Sequence, residues 1–205
     1  MEREDDAYLS VAAESRGVFR DRASKFIAVA LPVTTEEEVK QRLNELRKTY
    51  HDANHHCFAY RLGPGGSAYR FNDDGEPSGS AGKPIYGQLL SKDISDVLVV
   101  VIRYFGGTKL GVPGLINAYR TAAKEALGQA DVVTRVVQTG YCVAFGYPLM
   151  NEVMRILKEE NARITAQESA DQCRIRFSVR KGQAEKVESR FGKLHGAELN
   201  RDGNA

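Results

Sequence analysis

A single apolar run at residues 97–105 most limits what this chain can fold into. The run reads VLVVVIRYF and ends directly before Gly106 and Gly107. It is too short to cross a membrane or to form a typical buried helix, whereas continuous apolarity over this length is typical of a strand covered on both faces. We therefore predict that Val97–Phe105 is the core strand of a sheet.

Segments upstream of this strand predict further elements of the same domain. Residues 18–31 and 54–61 are rich in β-branched and aromatic residues, as strands require, and Ala68–Phe71 forms a shorter candidate strand. Between the first two, Thr35 and Glu38 form a capping-box pattern that predicts the start of a helix. The domain therefore mixes helices with strands.

Two prolines predict the starts of two more helices. Pro84 predicts a short helix through Leu90, and Pro113 predicts a longer helix after the core strand. The longer helix carries an apolar stripe made of Leu115, Ile116, Tyr119, Ala122, Ala123, Ala126 and Leu127. We place the end of this first domain near Asp131.

The remainder of the chain is predicted to form a second domain with the order β-α-β-β-α-β. The first five elements are predicted at residues 141–145, 148–160, 163–168, 173–180 and 184–194. This order is that of the ferredoxin-like split motif. The predicted fold class is therefore α+β with two domains, residues 1–133 and residues 138–201.

Composition and the first residues favour a reduced, cytoplasmic protein. The chain starts MEREDD, which is acidic where a signal peptide would be basic and then apolar, and no apolar run is long enough to span a membrane. Cys57, Cys142 and Cys173 are odd in number and far apart, which favours free thiols. The net charge is only +2, so any nucleic-acid surface is expected to be a local patch.

Two segments carry a resemblance to a known family. They are DDGEPSGSAGKP at residues 73–84 and RYFGGTKLG at residues 103–111, supported by His55-His56-Cys57 and Ser24-Lys25-Phe26. Both segments are similar to signatures of the YigZ/IMPACT family, and the similarity is strong over residues 24–120. The resemblance implies a first domain with the ribosomal protein S5 domain 2-like fold. It also implies a second domain similar to the last domain of translocating elongation factors.

The resemblance also carries an expectation about function. Eukaryotic members of the family compete for the activator of an amino-acid-starvation kinase that acts on translation initiation. That partnership uses an additional N-terminal RWD domain, which we do not find in these 205 residues. We therefore expect a non-catalytic regulatory or binding protein linked to translation, which engages RNA, the ribosome or a translation-related protein.

The loop at residues 73–83 is the first candidate functional segment. It brings three carboxylates, two hydroxyls and a lysine together, on Asp73, Asp74, Glu76, Ser78, Ser80 and Lys83. These groups could hold a cation or serve a substrate, with glycines that let the backbone approach a ligand. The alternative is that aspartates and glycines here only build tight turns ahead of the next helix.

The second candidate segment joins the core strand to a helix at residues 106–111. Backbone N–H groups at such a helix start attract phosphate, and Lys109 adds positive charge. The segment is neither a P-loop nor a GxGxxG motif. The alternative is that Gly106, Gly107 and Gly111 serve close packing between strand and helix.

Residues 55–57 place two histidines and a cysteine side by side on a predicted strand. Alternation puts His55 and Cys57 on one face and His56 on the other, which is a poor arrangement for a metal site. We therefore assign no metal and no cofactor. If the protein is instead a hydrolase of a small phosphorylated or peptide-like substrate, His56 with Asp74 or Glu76 is the expected acid–base pair.

The two loops are expected to lie on one rim of the first domain and to form its functional surface. That surface also includes Arg103, which could reach Asp74 or Glu76 and pin the acidic loop, and in the hydrolase alternative Arg103 and Lys83 complete the groove. Replacing Glu76 or Lys109 by alanine is then expected to abolish function without lowering the melting temperature.

The second domain carries a separate candidate for nucleic-acid binding. Arg174, Arg176 and Arg180 share one face of a predicted strand with Ser178. An open ferredoxin-like sheet can bind RNA through such a basic stripe, although no aromatic residue for base stacking lies on this face. A solvated basic face is the alternative.

Overall fold

The computed structural model describes residues 6–169 and 172–202, and the chain divides into two compact units. One unit is Tyr8–Arg135, and the other runs from Val136 onward and includes the described residues Asp6 and Ala7. The described residues contain five α-helices and eleven strands, which establishes the mixed α and β fold.

The first unit is built from seven strands and three helices. The strands are β1 (Ala7–Val11), β2 (Ser15–Asp21), β3 (Ser24–Pro32), β4 (His55–Leu62), β5 (Ala68–Asn72), β6 (Val97–Tyr104) and β7 (Val132–Val136). The helices are α1 (Glu36–Thr49), α2 (Gly82–Lys92) and α3 (Gly111–Gly128).

The predicted core strand is the centre of the main sheet. Five strands are ordered β2-β3-β6-β4-β5, and every neighbouring pair is antiparallel. Residues 97–102 of β6 are completely buried because alternate side chains enter two separate apolar layers. One layer packs against α2 and α3, and the other packs against α1.

The three helices of this unit begin close to the predicted positions. The capping bond of α1 and the buried stripe of α3 differ from the prediction in detail. At α1, the Thr35 hydroxyl accepts a hydrogen bond from the Glu38 N–H, but the Glu38 carboxylate returns to the Thr34 N–H at 2.6 Å and not to that of Thr35. In α3, Ala118 is buried and Ile116 is only half-buried, so the buried stripe lies slightly to one side of the predicted one.

Strands β1 and β7 form a two-stranded sheet that the sequence does not predict. β7 occupies most of the segment expected to separate the domains, and only Val137 stands between β7 and the next strand. The N–H of Val137 donates to the carbonyl of Asp6 at 2.7 Å, and its own carbonyl accepts from Lys181 at 2.8 Å. The backbone in this segment is therefore hydrogen-bonded.

The second unit has the predicted β-α-β-β-α-β order. Its elements are β8 (Gln138–Phe145), α4 (Met150–Glu159), β9 (Arg163–Ser169), β10 (Cys173–Arg180), α5 (Ala184–Gly192) and β11 (Ala197–Asp202). The strands form an antiparallel sheet in the order β11-β8-β10-β9. One face of this sheet packs on both helices through an apolar core that includes Tyr141, Phe145 and Phe177. In the part of the chain that the structure describes, no helix is both long and apolar enough to cross a membrane.

Candidate binding site

A cavity lies at the end of the sheet where β4 begins and β6 ends. Because these strands are antiparallel, His55 at the start of β4 pairs with Arg103 near the end of β6. The cavity has a volume of about 440 Å³ and is lined by Asn54, His55, Glu76, Pro77, Arg103, Phe105, Lys109, Leu110, Gly111, Val112 and Leu115. Both candidate loops therefore contribute to one rim, as expected.

An ion pair lies in the wall of this cavity. Nη1 of Arg103 donates to Oε1 of Glu76 at 2.6 Å, and both side chains are more than nine-tenths buried. The guanidinium carbon also lies 5.4 Å from the ring centroids of Phe26 and of Phe105, within cation–π distance. The expected partner of Arg103 was Asp74 or Glu76, and the structure selects Glu76.

Tyr119 reaches the same carboxylate from α3. Its hydroxyl donates to Oε1 of Glu76 at 2.7 Å, and burial raises the pKa of Tyr119, which keeps this donor protonated. Burial likewise raises the pKa of the Cys57 thiol, which donates to the carbonyl of Asp73 at 3.0 Å. The Cys57 thiol is therefore held as a neutral, buried group.

His55, and not His56, is the histidine of the cavity. Nδ1 of His55 lies 2.8 Å from the carbonyl oxygen of Asp74, so this nitrogen carries a proton and Nε2 faces Glu76 at 3.8 Å. His56 points to the opposite face of the sheet because side chains alternate along β4, and burial lowers its pKa. The acid–base pair expected for His56 with Glu76 is therefore not formed, whereas the negative charge of Asp74 acts on His56 and partly opposes the lowering of its pKa.

Asp74 is hydrogen-bonded to the backbone of His56. One carboxylate oxygen accepts the N–H of His56 at 2.6 Å, and the other lies 3.3 Å from Arg47 of α1. This carboxylate lies outside the cavity lining and ties the acidic loop to β4 and α1.

Asp73 has a structural role at the start of α2. Its two carboxylate oxygens accept backbone N–H groups of Gly79, Ala81 and Gly82 at 2.8, 3.0 and 2.8 Å. These bonds satisfy donors at the helix start that have no partner within the helix. The sequence signal is weak, because Asp73 precedes the helix by nine residues and so lies outside the usual capping position.

The remaining polar residues of the acidic loop lie elsewhere. Ser80 is fully buried and donates its hydroxyl to the carbonyl of Pro77 at 2.6 Å, while Ser78 is exposed. Lys83 lines a different groove, between α2 and α3, together with Arg120. Lys83 and the cavity are therefore separate features of this unit.

The glycine-rich loop leads directly into α3 at the cavity mouth. A Cβ on Gly106 would meet the backbone of Ala23 at 2.2 Å, whereas Gly107 and Gly111 adopt φ values of +85° and +71°. The packing role and the conformational role therefore fall on different glycines. No side chain caps α3, and its first turn contains no acidic residue.

The arginines of β10 do not form an uncompensated basic stripe. Arg174 and Arg176 line a depression of about 240 Å³ on the open sheet face, together with Glu168 and Glu198. Arg174 lies directly opposite Glu168 in the ladder, and Arg176 lies 3.5 Å from Asp202. The third arginine, Arg180, is engaged elsewhere and donates to the Asp6 carboxylate at 2.8 Å.

Several lining residues were not predicted from the sequence. Asn54 orients the loop by accepting the N–H of Phe105 at 2.8 Å, and Leu110, Val112 and Leu115 form the apolar wall. The helical stripe identified Leu115 as buried, but no local pattern indicates that it borders a cavity. Within the described residues, no group of three or more histidine, cysteine, aspartate or glutamate side chains converges as a metal site would require.

Comparison with known proteins finds relatives that carry the same family name. Residues 22–127 match the family model described as the Impact N-terminal domain. The chain is 37% identical over 136 residues to the IMPACT family member YvyE of Bacillus subtilis, covering 66% of this chain and 63% of that protein. It is 31% identical over 161 residues to the IMPACT family member YigZ of Escherichia coli, covering 78% and 79%.

One solved structure extends the likeness over almost the whole chain. A crystal structure described as that of a hypothetical protein superposes with a TM-score of 0.74 at 27% identity, and the match covers 95% of this chain and 96% of that one. The matched family model alone covers more than half of the sequence and includes both candidate loops. The chain therefore belongs to the IMPACT family.

Proposed function

We propose that this chain is a non-catalytic binding protein that regulates translation in the cytoplasm and captures a translation-related protein at the cavity of its first unit. The observation that carries this proposal is the mouth of the cavity, where Phe105 and Val112 are 44% and 46% exposed beside Lys109. Large apolar side chains left half-exposed around a concave polar site are typical of a surface that a partner covers.

The groups in the cavity wall support binding over hydrolysis. The Glu76 carboxylate accepts hydrogen bonds from Arg103 and from Tyr119 on the same oxygen, and these bonds fix it as part of the cavity wall. Among the described residues that line this cavity there is no serine, threonine or cysteine. A wall held rigid by its own hydrogen bonds is suited to binding, because little side-chain freedom is lost when a partner arrives.

The link to translation follows from the family and from the inferred folds. We infer an S5 domain 2-like fold for the first unit, and the strand order β11-β8-β10-β9 supports a ferredoxin-like fold for the second. Both folds occur in components of the translation machinery, and the resemblance implies that eukaryotic members of the family compete for the activator of a kinase that acts on translation initiation. A protein partner is favoured over RNA because carboxylates accompany the arginines on the open sheet face.

Site-specific photocrosslinking in cells tests the proposal. A photoreactive phenylalanine analogue replaces Val112 at the cavity mouth, and the matched control replaces Val18, which is 51% exposed on β2. The expected result is a crosslink from position 112, and not from position 18, to a ribosomal protein or translation factor that persists after nuclease treatment. Crosslinks to unrelated proteins, equal crosslinking from both positions, or loss of the crosslink with nuclease would each contradict it.

A further inference from the structure

The cavity combines positive groups with apolar walls, and this combination specifies a ligand more narrowly. Resting on the proposed function, we propose that the cavity binds an acidic peptide segment of the partner. In this proposal, a glutamate or aspartate of the peptide places its carboxylate at the start of α3 beside Lys109 and Arg103. A neighbouring apolar side chain of the peptide then contacts Phe105 and Val112. Three features of the cavity support this assignment.

The first feature is the unused donor capacity of Arg103. A guanidinium has five N–H donors, and the hydrogen bond to Glu76 uses only Nη1. Nε of Arg103 is buried and has no hydrogen-bond partner among the described residues. Nε is shielded from solvent, so an incoming carboxylate would pair with the remaining Nη donors, and a carboxylate is the acceptor that best matches a guanidinium.

The second feature is the charge around the cavity mouth. The charges of Arg103 and Glu76 balance each other in their ion pair, and Lys109 leaves the lining with a net positive charge. Gly111 and Val112 line the cavity from the first turn of α3, an 18-residue helix with no side-chain cap and no acidic residue in that turn. A first turn without a side-chain cap and the positive end of the helix dipole both favour an anion at this position.

The third feature is the apolar wall, which separates a peptide from an inorganic anion or a nucleotide. Pro77, Phe105, Leu110, Val112 and Leu115 supply most of the remaining lining. A free phosphate would leave this surface uncovered. A base would require aromatic faces, but this wall is mainly aliphatic and Arg103 covers one face of its phenylalanine. A carboxylate next to an apolar side chain satisfies both parts of the cavity.

The test uses the purified 205-residue chain labelled with ¹⁵N and four probes. The probes are acetyl-Leu-Glu-Leu-amide, its matched control acetyl-Leu-Gln-Leu-amide, inorganic phosphate and a short oligouridylate. The glutamate peptide is expected to shift the amide signals of Lys109, Gly111 and Val112 saturably, and the glutamine peptide to bind about tenfold more weakly. Lys109→Gln is expected to weaken glutamate-peptide binding about fivefold, while Lys83→Gln, an exposed lysine of another groove, leaves it unchanged.

Four outcomes would overturn the proposal. They are equal binding of the two peptides, no effect of Lys109→Gln, the same shifts from phosphate at lower concentration, and tighter binding of the oligouridylate that shifts the amide signals of Lys109, Gly111 and Val112. These measurements need no translation component, so they can fail while the crosslink from position 112 still identifies a translation partner. The reverse result, peptide binding without such a crosslink, would reject the link to translation and keep the acidic-peptide site.

Discussion

Nη1 of Arg103 lies 2.6 Å from Oε1 of Glu76, and the side chains are only 6% and 4% exposed. This contact joins the end of β6 to the acidic loop and forms part of the cavity wall. Removing one partner of a buried ion pair leaves the other charged and unpaired, which costs far more free energy than the loss of a surface ion pair. The group that shapes the candidate site therefore also stabilises the fold.

Glu76→Ala is accordingly expected to lower the free energy of unfolding by about 3 to 5 kcal/mol. The substitution leaves Arg103 buried without its anion and removes the acceptor of the Tyr119 hydroxyl. Urea denaturation measures the change, with Glu37→Ala on the exposed side of α1 as the control. A variant that unfolds at the same urea concentration as the unsubstituted protein would contradict the buried ion pair.

This prediction reverses the expectation drawn from the sequence for Glu76, and the reason is burial. The sequence places Glu76 in a loop rich in glycine and aspartate, where a carboxylate is normally solvated. Its burial comes from β6 and α3, which supply Arg103 and Tyr119 from 27 and 43 residues away in sequence. Lys109 is exposed, so the same expectation remains a prediction for that residue.

The elements that the sequence predicted well were those with a clear local pattern, either a continuous apolar run or a regular alternation. Val97–Tyr104 is recognisable because every residue but the last two is apolar, and alternation correctly separates His55 from His56. β1 and β7 were missed because their stability depends on pairing with each other across the chain and not on a local pattern. The face of β4 that borders the cavity is set by the position at which α3 packs on the sheet. No local sequence pattern indicates that position.

The carboxylate of Glu160 predicts a pH-dependent contribution to the stability of the second unit. The ammonium of Lys186, 2.8 Å from one carboxylate oxygen, and the guanidinium of Arg190, which donates to the other at 2.6 Å, hold the pKa of Glu160 below its ordinary value of 4.5. A lowered folded-state pKa stabilises the protein above pH 4.5, and this contribution is lost as the pH falls through the folded-state pKa. Glu160→Gln is therefore expected to cost about 2 kcal/mol at pH 7 and to become nearly neutral once the carboxylate is protonated.

Urea denaturation of the unsubstituted protein and of Glu160→Gln, at pH 7 and at pH 3, measures how the loss of stability changes with pH. Glu185→Gln serves as the control, because Glu185 is an exposed residue of the first turn of α5. A loss of stability that is the same at both pH values would mean that the carboxylate charge contributes nothing.

The arginines of the open sheet face remain a prediction for RNA binding, now limited to two residues. Arg174 and Arg176 line the depression, whereas Arg180 is bonded to Asp6 and its replacement would also affect stability. The Arg174→Ala, Arg176→Ala double variant is expected to flatten the salt dependence of single-stranded RNA binding by a slope of about 1.4. Glu168→Gln should strengthen binding, because it removes the negative charge opposite Arg174. A salt slope that the double variant leaves unchanged would place any RNA site elsewhere.

The glycine-rich loop offers a test that separates packing from backbone conformation. A Cβ on Gly106 would lie 2.2 Å and 2.4 Å from the carbonyl carbon and oxygen of Ala23, and backbone atoms cannot move aside as a flexible side chain can. On Gly107 a Cβ would meet nothing within 4 Å, but the φ of +85° disfavours any residue with a Cβ. Alanine is therefore expected to cost about 1 to 2 kcal/mol at Gly107 and about 3 kcal/mol at Gly106.

Asparagine distinguishes the two causes, because it tolerates left-handed backbone better than alanine but is larger. Gly107→Asn should be milder than Gly107→Ala, whereas Gly106→Asn should be at least as damaging as Gly106→Ala. The Gly106 variants should also shift the amide signals of Ala23 and Ser24, since the N–H of Gly106 donates to the Ser24 hydroxyl at 3.2 Å. If Gly106→Ala unfolds like the unsubstituted protein and leaves those signals in place, close packing does not explain this glycine, and a direct role at the cavity mouth becomes the better account.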